Sequence, residues 1–164
     1  MTVERDCGPE GCEIDWLTSA RIEVDDDPAE FARYATAAGF GDGLPLIPPT
    51  EARVREHVAA SGRYPDEVIA EVPPRRGRAT VEKIAVNAVM AGAPPEAMPL
   101  LVAAVAAMAD PEFNLFALNT TTCSVVPALV ANGPVRHALG LPMGAGCFRS
   151  EEHTSELQSL AYLV

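Results

Sequence analysis

Three stretches of this sequence carry side chains that could do chemistry together. The first is Gly41-Asp42-Gly43, where two glycines leave one carboxylate accessible inside the loop Gly39–Thr50. Asp42 there can serve as a general base or hydrogen-bond acceptor, with Gly43 allowing a ligand close to the backbone. The same residues also suit a tight turn in which Asp42 bonds its own main chain. The second stretch is Arg75-Arg76-Gly77-Arg78, directly before a helix start. Guanidinium groups and free helix N–H groups can converge on one anion, although solvated charge balancing an acidic surface is the plainer reading. Lys83 and Asn87 follow one turn apart on that helix's polar side, facing either a cleft or water. The third stretch is Asn119-Thr120-Thr121-Thr122-Cys123-Ser124, small hydrogen-bonding side chains beside a thiol. Cys123 is the best nucleophile candidate among four cysteines, with only His137 as a guessed base, and a buried inert thiol is its alternative. Asn132, in the turn Asn132-Gly133-Pro134, adds one more polar group.

The expected site therefore has Asp42, Lys83 and Cys123 as catalytic groups. Gly43, Arg75, Arg76, Asn87, Thr120, Thr121, Thr122 and Asn132 would bind substrate, the cations holding an anion and the threonines orienting it. Cys7 and Cys12 form a Cys-x4-Cys pair on a turn-prone segment. Further ligands could come only from Cys123, Cys147, His57 or His137, so the spacing names no metal, and no cofactor is identified.

These groups must be positioned by a pair of alanine-rich helices over residues 80–109. Val81, Ile84, Ala85, Ala88 and Val89 recur at helical spacing, with Thr80 as N-cap and Glu82 at the positive end of the dipole. Gly92 fits a left-handed C-terminus, and Pro94-Pro95 pre-sets the next helix. Met98, Leu101, Val102, Val105 and Met108 repeat the apolar pattern until Asp110-Pro111. The short link predicts an antiparallel hairpin in the core. Around it the sequence predicts a helix over 28–38 capped by the Asp25–Asp27 run, and another over 50–60 with His57 exposed. Strands are expected at 67–72, 113–118 and 125–131, the last one buried, and a helix at 134–139. The fold class is α/β or α+β, with the hairpin packed on a small sheet.

Length and composition suit one domain, residues 28–148, behind an N-terminal arm at 1–27 docked through Trp16 and Leu17. A net charge of −11 argues against nucleic acid or an anionic membrane as partner. Arg5, Asp6 and Glu10 interrupt any secretory leader, which predicts a cytoplasmic location and cysteines that are free, metal-bound or redox-active rather than structural disulfides. Residues 149–159, Arg-Ser-Glu-Glu-His-Thr-Ser-Glu-Leu-Gln-Ser, look like the translation of a common sequencing adapter. On that reading 149–164 is an artefactual tail, His153 has no role, and the natural domain is truncated at its C-terminus. One arginine and three glutamates leave with the tail, so the charge of the remainder is still −9.

Residues 41–50, Glu71-Val72-Pro73-Pro74, residues 79–92 and Val130-Ala131-Asn132-Gly133-Pro134 resemble an uncharacterised bacterial family associated with UGSC-type selenoproteins, named for a Sec-Gly-Ser-Cys motif. The resemblance spans about residues 28–148 and is most specific in the hairpin. It implies a longer natural protein and a link to thiol or selenol chemistry. This chain has neither Sec-Gly-Ser-Cys nor Cys-Gly-Ser-Cys, and Ala93 stands where relatives often carry cysteine, so no redox role is carried over. The expected function is a small-molecule enzyme domain with an anion-holding site, sulfur- or redox-linked through that resemblance. Its rival is a non-catalytic partner or assembly subunit that uses the hairpin as its surface, either in a homo-oligomer or against another chain.

Overall fold

The structure, a computed structural model, describes residues 17–24, 27–39, 41, 43–123 and 125–141. Helix α1 (Pro28–Ala38) starts where the Asp27 carboxylate accepts the Ala29 N–H, and it ends at Gly39 with φ of 80°. Helix α2 (Glu51–Ser61) is followed by strand β1 (Val68–Val72), a turn, and strand β2 (Gly77–Thr80). Helix α3 (Val81–Met90) leads through a 3-10 turn at Pro95–Ala97 into α4 (Met98–Met108). A second 3-10 turn at Pro111–Phe113 precedes α5 (Leu115–Thr120), and α6 (Val135–Ala138) is a single turn. The fold is α+β, and among the described residues β1 and β2 form one two-stranded antiparallel sheet.

The core lies where α2, α3 and α4 meet. Val54 and Val58 from α2 pack with Val81, Ile84, Ala85, Ala88 and Val89 from α3 and with Met98, Leu101, Val102 and Val105 from α4. Ala85 and Ala88 are wholly buried, so α3 offers its neighbours a surface with almost no side-chain bulk. α4 also packs on β1, which seats the sheet against the hairpin. The link between α3 and α4 closes as a Schellman motif: Gly92 N–H donates to Val89 O, Ala93 N–H to Ala88 O, and Gly92 has φ of 76°.

His57 is buried, contrary to the exposure expected from sequence. Its Nδ1 lies 2.8 Å from Arg53 O and its Nε2 lies 2.9 Å from Ala93 O, so the ring bridges α2 to the turn after α3. The reason is periodicity: His57 falls between Val54 and Val58 on the face that α2 turns inward.

Glu82 is the other buried polar side chain. Its carboxylate accepts the Thr18 N–H at 3.0 Å, the Thr18 hydroxyl at 2.9 Å and the Ser19 N–H at 2.8 Å. Residues 17–19 are thereby clasped to the first turn of α3, and Leu17 packs against the core. Trp16, the other expected docking residue, lies outside the described residues. Burial pushes the Glu82 carboxyl up, but hydrogen bonds from Thr18 and Ser19 together outweigh it and hold the group below its ordinary value of 4.5.

Two expected strands are absent. Residues 113–118 fold as a 3-10 turn and α5, because Asn114 takes φ of 55° and its side chain accepts the Ala117 N–H. That cap starts a helix where the weak alternation suggested a strand. Residues 125–131 form neither helix nor strand among the described residues, and Val125, Val126, Leu129 and Val130 are exposed. β2 occupies residues that sequence reasoning had treated only as a cationic lead into α3.

Leu101, with essentially no exposed surface at the α2–α3–α4 junction, gives the first test. Leu101→Ala is expected to cost about 2–5 kcal/mol in urea unfolding. Glu82 gives the second. A folded-state value below 4.5 means its clasp contributes fully above that value and fades as pH falls through the lower one. Glu82→Gln should lose about 1.5–3 kcal/mol at neutral pH. In unfolding measured across pH, the gap between the two proteins should close on acidification.

Candidate functional site

β1 and β2 pair with Glu71 opposite Arg78 and Val72 opposite Gly77, leaving Pro73–Arg76 as the turn. The Pro73–Pro74 peptide is cis, and Arg76 turns the chain with φ of 53°. The geometry projects Arg75 and Arg76 from the tip of the ribbon, with Arg78 just behind them and all three exposed. Lys83 lies across the base of this group, its Nζ donating to Arg78 O at 3.1 Å. Elsewhere Arg21 and Arg55 pair with Glu51, Arg33 with Glu30, and Arg63 with Glu67, whereas Arg53 donates to Pro48 O and Arg136 lies against His137. Among the described residues, Arg75, Arg76, Arg78 and Lys83 reach no carboxylate.

The polar run after α4 comes to the same tip. Asn119 Nδ2 donates to Pro73 O at 2.8 Å, which fixes the C-terminal end of α5 beside the arginine turn. Thr120 and Thr121 follow immediately. Their hydroxyls are already engaged: Thr120 Oγ1 donates to Phe116 O at 2.9 Å, and Thr121 Oγ1 accepts the Cys123 N–H at 3.1 Å. Thr122 is exposed. Sequence reasoning named the threonines but passed over Asn119 as the residue that places them. An amide at a helix C-terminus is a common donor to a neighbouring carbonyl, which was the available signal.

The other expected members are not drawn in. Asp42 lies outside the described residues. Gly43, with φ of 95°, lines an open cleft of about 390 Å³ against α1, together with Ala32, Arg33, Thr36, Ala37, Gly41, Leu44 and Leu46. Further along this loop the Ile47 N–H donates to Met90 O at 3.1 Å, at the end of α3 far from Lys83. The seven residue steps from Lys83 to Met90 correspond to about 10 Å of helix. Asn87 donates to Lys83 O within its own helix, and Asn132 Oδ1 accepts the Gly133 N–H within its own turn.

Cys123 is exposed and free rather than buried. The guessed partner His137 instead has its Nε2 3.3 Å from the Arg136 Nε. Among the described residues no three His, Cys, Asp or Glu side chains are grouped to hold a metal ion. Cys7, Cys12 and Cys147 lie outside them. The large apolar side chains of α4, proposed as an assembly surface, face the chain's own core, and the exposed large apolar groups lie elsewhere.

What the arrangement can do chemically is hold negative charge. Two guanidinium groups offer planar donor pairs on a turn, a third cation stands behind them, and a lysine stands at the start of α3. No helix among the described residues is long and apolar enough to cross a membrane. The chain matches no protein-family model, no curated protein and no solved structure.

Proposed function

We propose that this chain is a small-molecule enzyme domain that holds an anionic substrate at the tip of the β1–β2 ribbon. Arg75 and Arg76 grip the anion, Arg78 and Lys83 add field behind them, and Thr121 and Thr122 border the same space through the Asn119 tether. One observation carries this reading. In a chain of net charge −11, where Arg21, Arg33, Arg55 and Arg63 each find a carboxylate, these four cations on the ribbon and the adjoining turn of α3 have no carboxylate partner among the described residues. Mutual repulsion raises the cost of such a cluster unless an anion relieves it.

Planar guanidinium groups on a rigid turn favour carboxylate or phosphate over a halide, because two parallel N–H donors match two oxygens. Cys123 supplies an exposed thiol a few residues from the threonines, and the sulfur-linked reading rests on that thiol together with the family resemblance.

Titration with inorganic phosphate and with succinate, followed by amide chemical shifts, tests the proposal. Binding should perturb residues 73–78 and 119–122, and Arg75→Ala/Arg76→Ala should weaken it at least about tenfold. Cys123→Ser should bind the anion as the native protein does. Shifts spread over every surface cation, and unchanged in the double variant, would leave these arginines as solvated charge.

A further inference from the structure

Asn132 takes no part in the anion site, and its side chain is turned onto the residue that follows it. The chain holds four asparagines: Asn87, Asn114, Asn119 and Asn132. Three of them aim their amides elsewhere than the next residue. Asn87 Nδ2 donates to Lys83 O, Asn119 Nδ2 donates to Pro73 O, and Asn114 Oδ1 accepts the Ala117 N–H. Asn132 differs: its Oδ1 accepts the Gly133 N–H at 2.7 Å. The amide carbon Cγ lies one bond of about 1.23 Å beyond that oxygen, so it is no more than about 4 Å from the Gly133 nitrogen.

An asparagine amide carbon and the next main-chain nitrogen are the right number of atoms apart to close a five-membered ring. Closure needs the nitrogen to reach Cγ, and bulk on the following residue hinders it. Gly133 has no Cβ, and its φ of 87° is one that other residues adopt only with strain. Asn132 is exposed, so water reaches the ring that forms. Its Nδ2 makes no hydrogen bond among the described residues, which leaves the departing nitrogen unrestrained. Asn87, Asn114 and Asn119 are instead followed by Ala88, Leu115 and Thr120, each with a side chain and each within α3 or α5.

We propose that Asn132–Gly133 is a self-modification site, where the folded protein converts Asn132 to aspartate and isoaspartate with its own main chain as nucleophile. The Gly133 nitrogen bonds to Asn132 Cγ, the Cγ–Nδ2 bond breaks, and Nδ2 leaves as ammonia. The Gly133 proton passes through water to that leaving group, and nothing is oxidised or reduced. Water then opens the succinimide and returns a proton to the Gly133 nitrogen. Cleavage at Cγ yields aspartate, and cleavage at the Asn132 carbonyl carbon yields isoaspartate. Either product puts a carboxylate where a neutral amide stood. Isoaspartate also routes the main chain through Cβ and Cγ, adding one atom just ahead of α6, where Gly133 O accepts the Arg136 N–H. Beyond α6 the chain returns Leu139 to the core, so the lengthened link acts on that docking. The proposal is independent of anion binding at the ribbon.

The test holds the 164-residue chain warm at mildly alkaline pH, folded and in parallel unfolded in urea. Peptides are then mapped by mass spectrometry, with the isoaspartyl carboxylate marked by enzymatic methylation. In the folded protein Asn132 should convert at least about tenfold faster than Asn87, Asn114 or Asn119. It should also convert at least as fast as in the unfolded chain, because the fold presents the contact instead of shielding it. Gly133→Ala should slow conversion at least about tenfold. Asn132→Gln keeps the glycine turn and should react more slowly too, since its longer side chain must close a six-membered ring. Amide exchange at Leu139 should quicken in the isoaspartyl form and not in Asn132→Asp, which has the charge without the added atom. Conversion at Asn132 no faster than at the other three asparagines overturns the proposal. So does a folded rate at least about tenfold below the unfolded one. Equal Leu139 exchange in the isoaspartyl form and Asn132→Asp overturns the effect on α6.

Discussion

Ala85 and Ala88 bring backbone and short side chains of α3 against its neighbours, and the rest of the molecule is arranged by that close approach. With no side-chain bulk at these positions, Val54 and Val58 from α2 and Leu101, Val102 and Val105 from α4 close around the helix with little space left. Dispersion and burial act over that whole junction, each buried aliphatic side chain contributing roughly 1.5–3 kcal/mol. Two polar devices then fix the register. The His57 ring spans from α2 to the Ala93 carbonyl, and the Schellman turn at Gly92 presents that carbonyl. The left-handed glycine and the buried imidazole are thus parts of one joint.

This junction decides where chemistry can be placed. α3 has its N-terminus at the β2 strand and the cationic ribbon, and its C-terminus at the Ile47 end of the glycine- and proline-rich loop. A helix cannot bring its own two ends together, so the loop and the arginine tip serve different regions of the surface. The loop closes a cleft with α1, and the arginine tip is joined by α5. The side chain linking tip and helix is Asn119, an amide that sequence offered only as one member of a polar run.

Charge is organised with the same economy. Glu82 sits at the first turn of α3, where the helix dipole already favours a carboxylate, and Thr18 and Ser19 complete its hydrogen bonds. A buried carboxylate without those donors would be strongly unfavourable, so the segment at residues 17–19 is part of the folded unit. The adjacent residue, Lys83, points the other way and joins the cations of the ribbon. A single residue step within the first turn of α3 therefore separates an anion held by the arm from a cation left for the surface.

The sequence by itself determined the helices whose ends are chemically marked. Asp27 and Gly39 bound α1, Thr80 and Gly92 bound α3 and its turn, and Asp110-Pro111 stops α4, because caps, left-handed glycines and prolines act on neighbouring residues alone. The apolar spacing of α3 and α4 likewise specified which faces are buried. The burial of Glu82 and His57 was legible in the same spacing, Glu82 in line with Ala85 and Val89 and His57 between Val54 and Val58, once residue type was not allowed to overrule position. Tertiary structure alone decided what meets across long separations. The Thr18–Glu82 clasp, the Asn119–Pro73 tether and the separation of the Gly43 loop from Lys83 depend on how packed helices aim their ends. Residues 113–118 became helical through the Asn114 cap, and residues 125–131 remained an unpaired run, since a strand exists only where a partner edge is available.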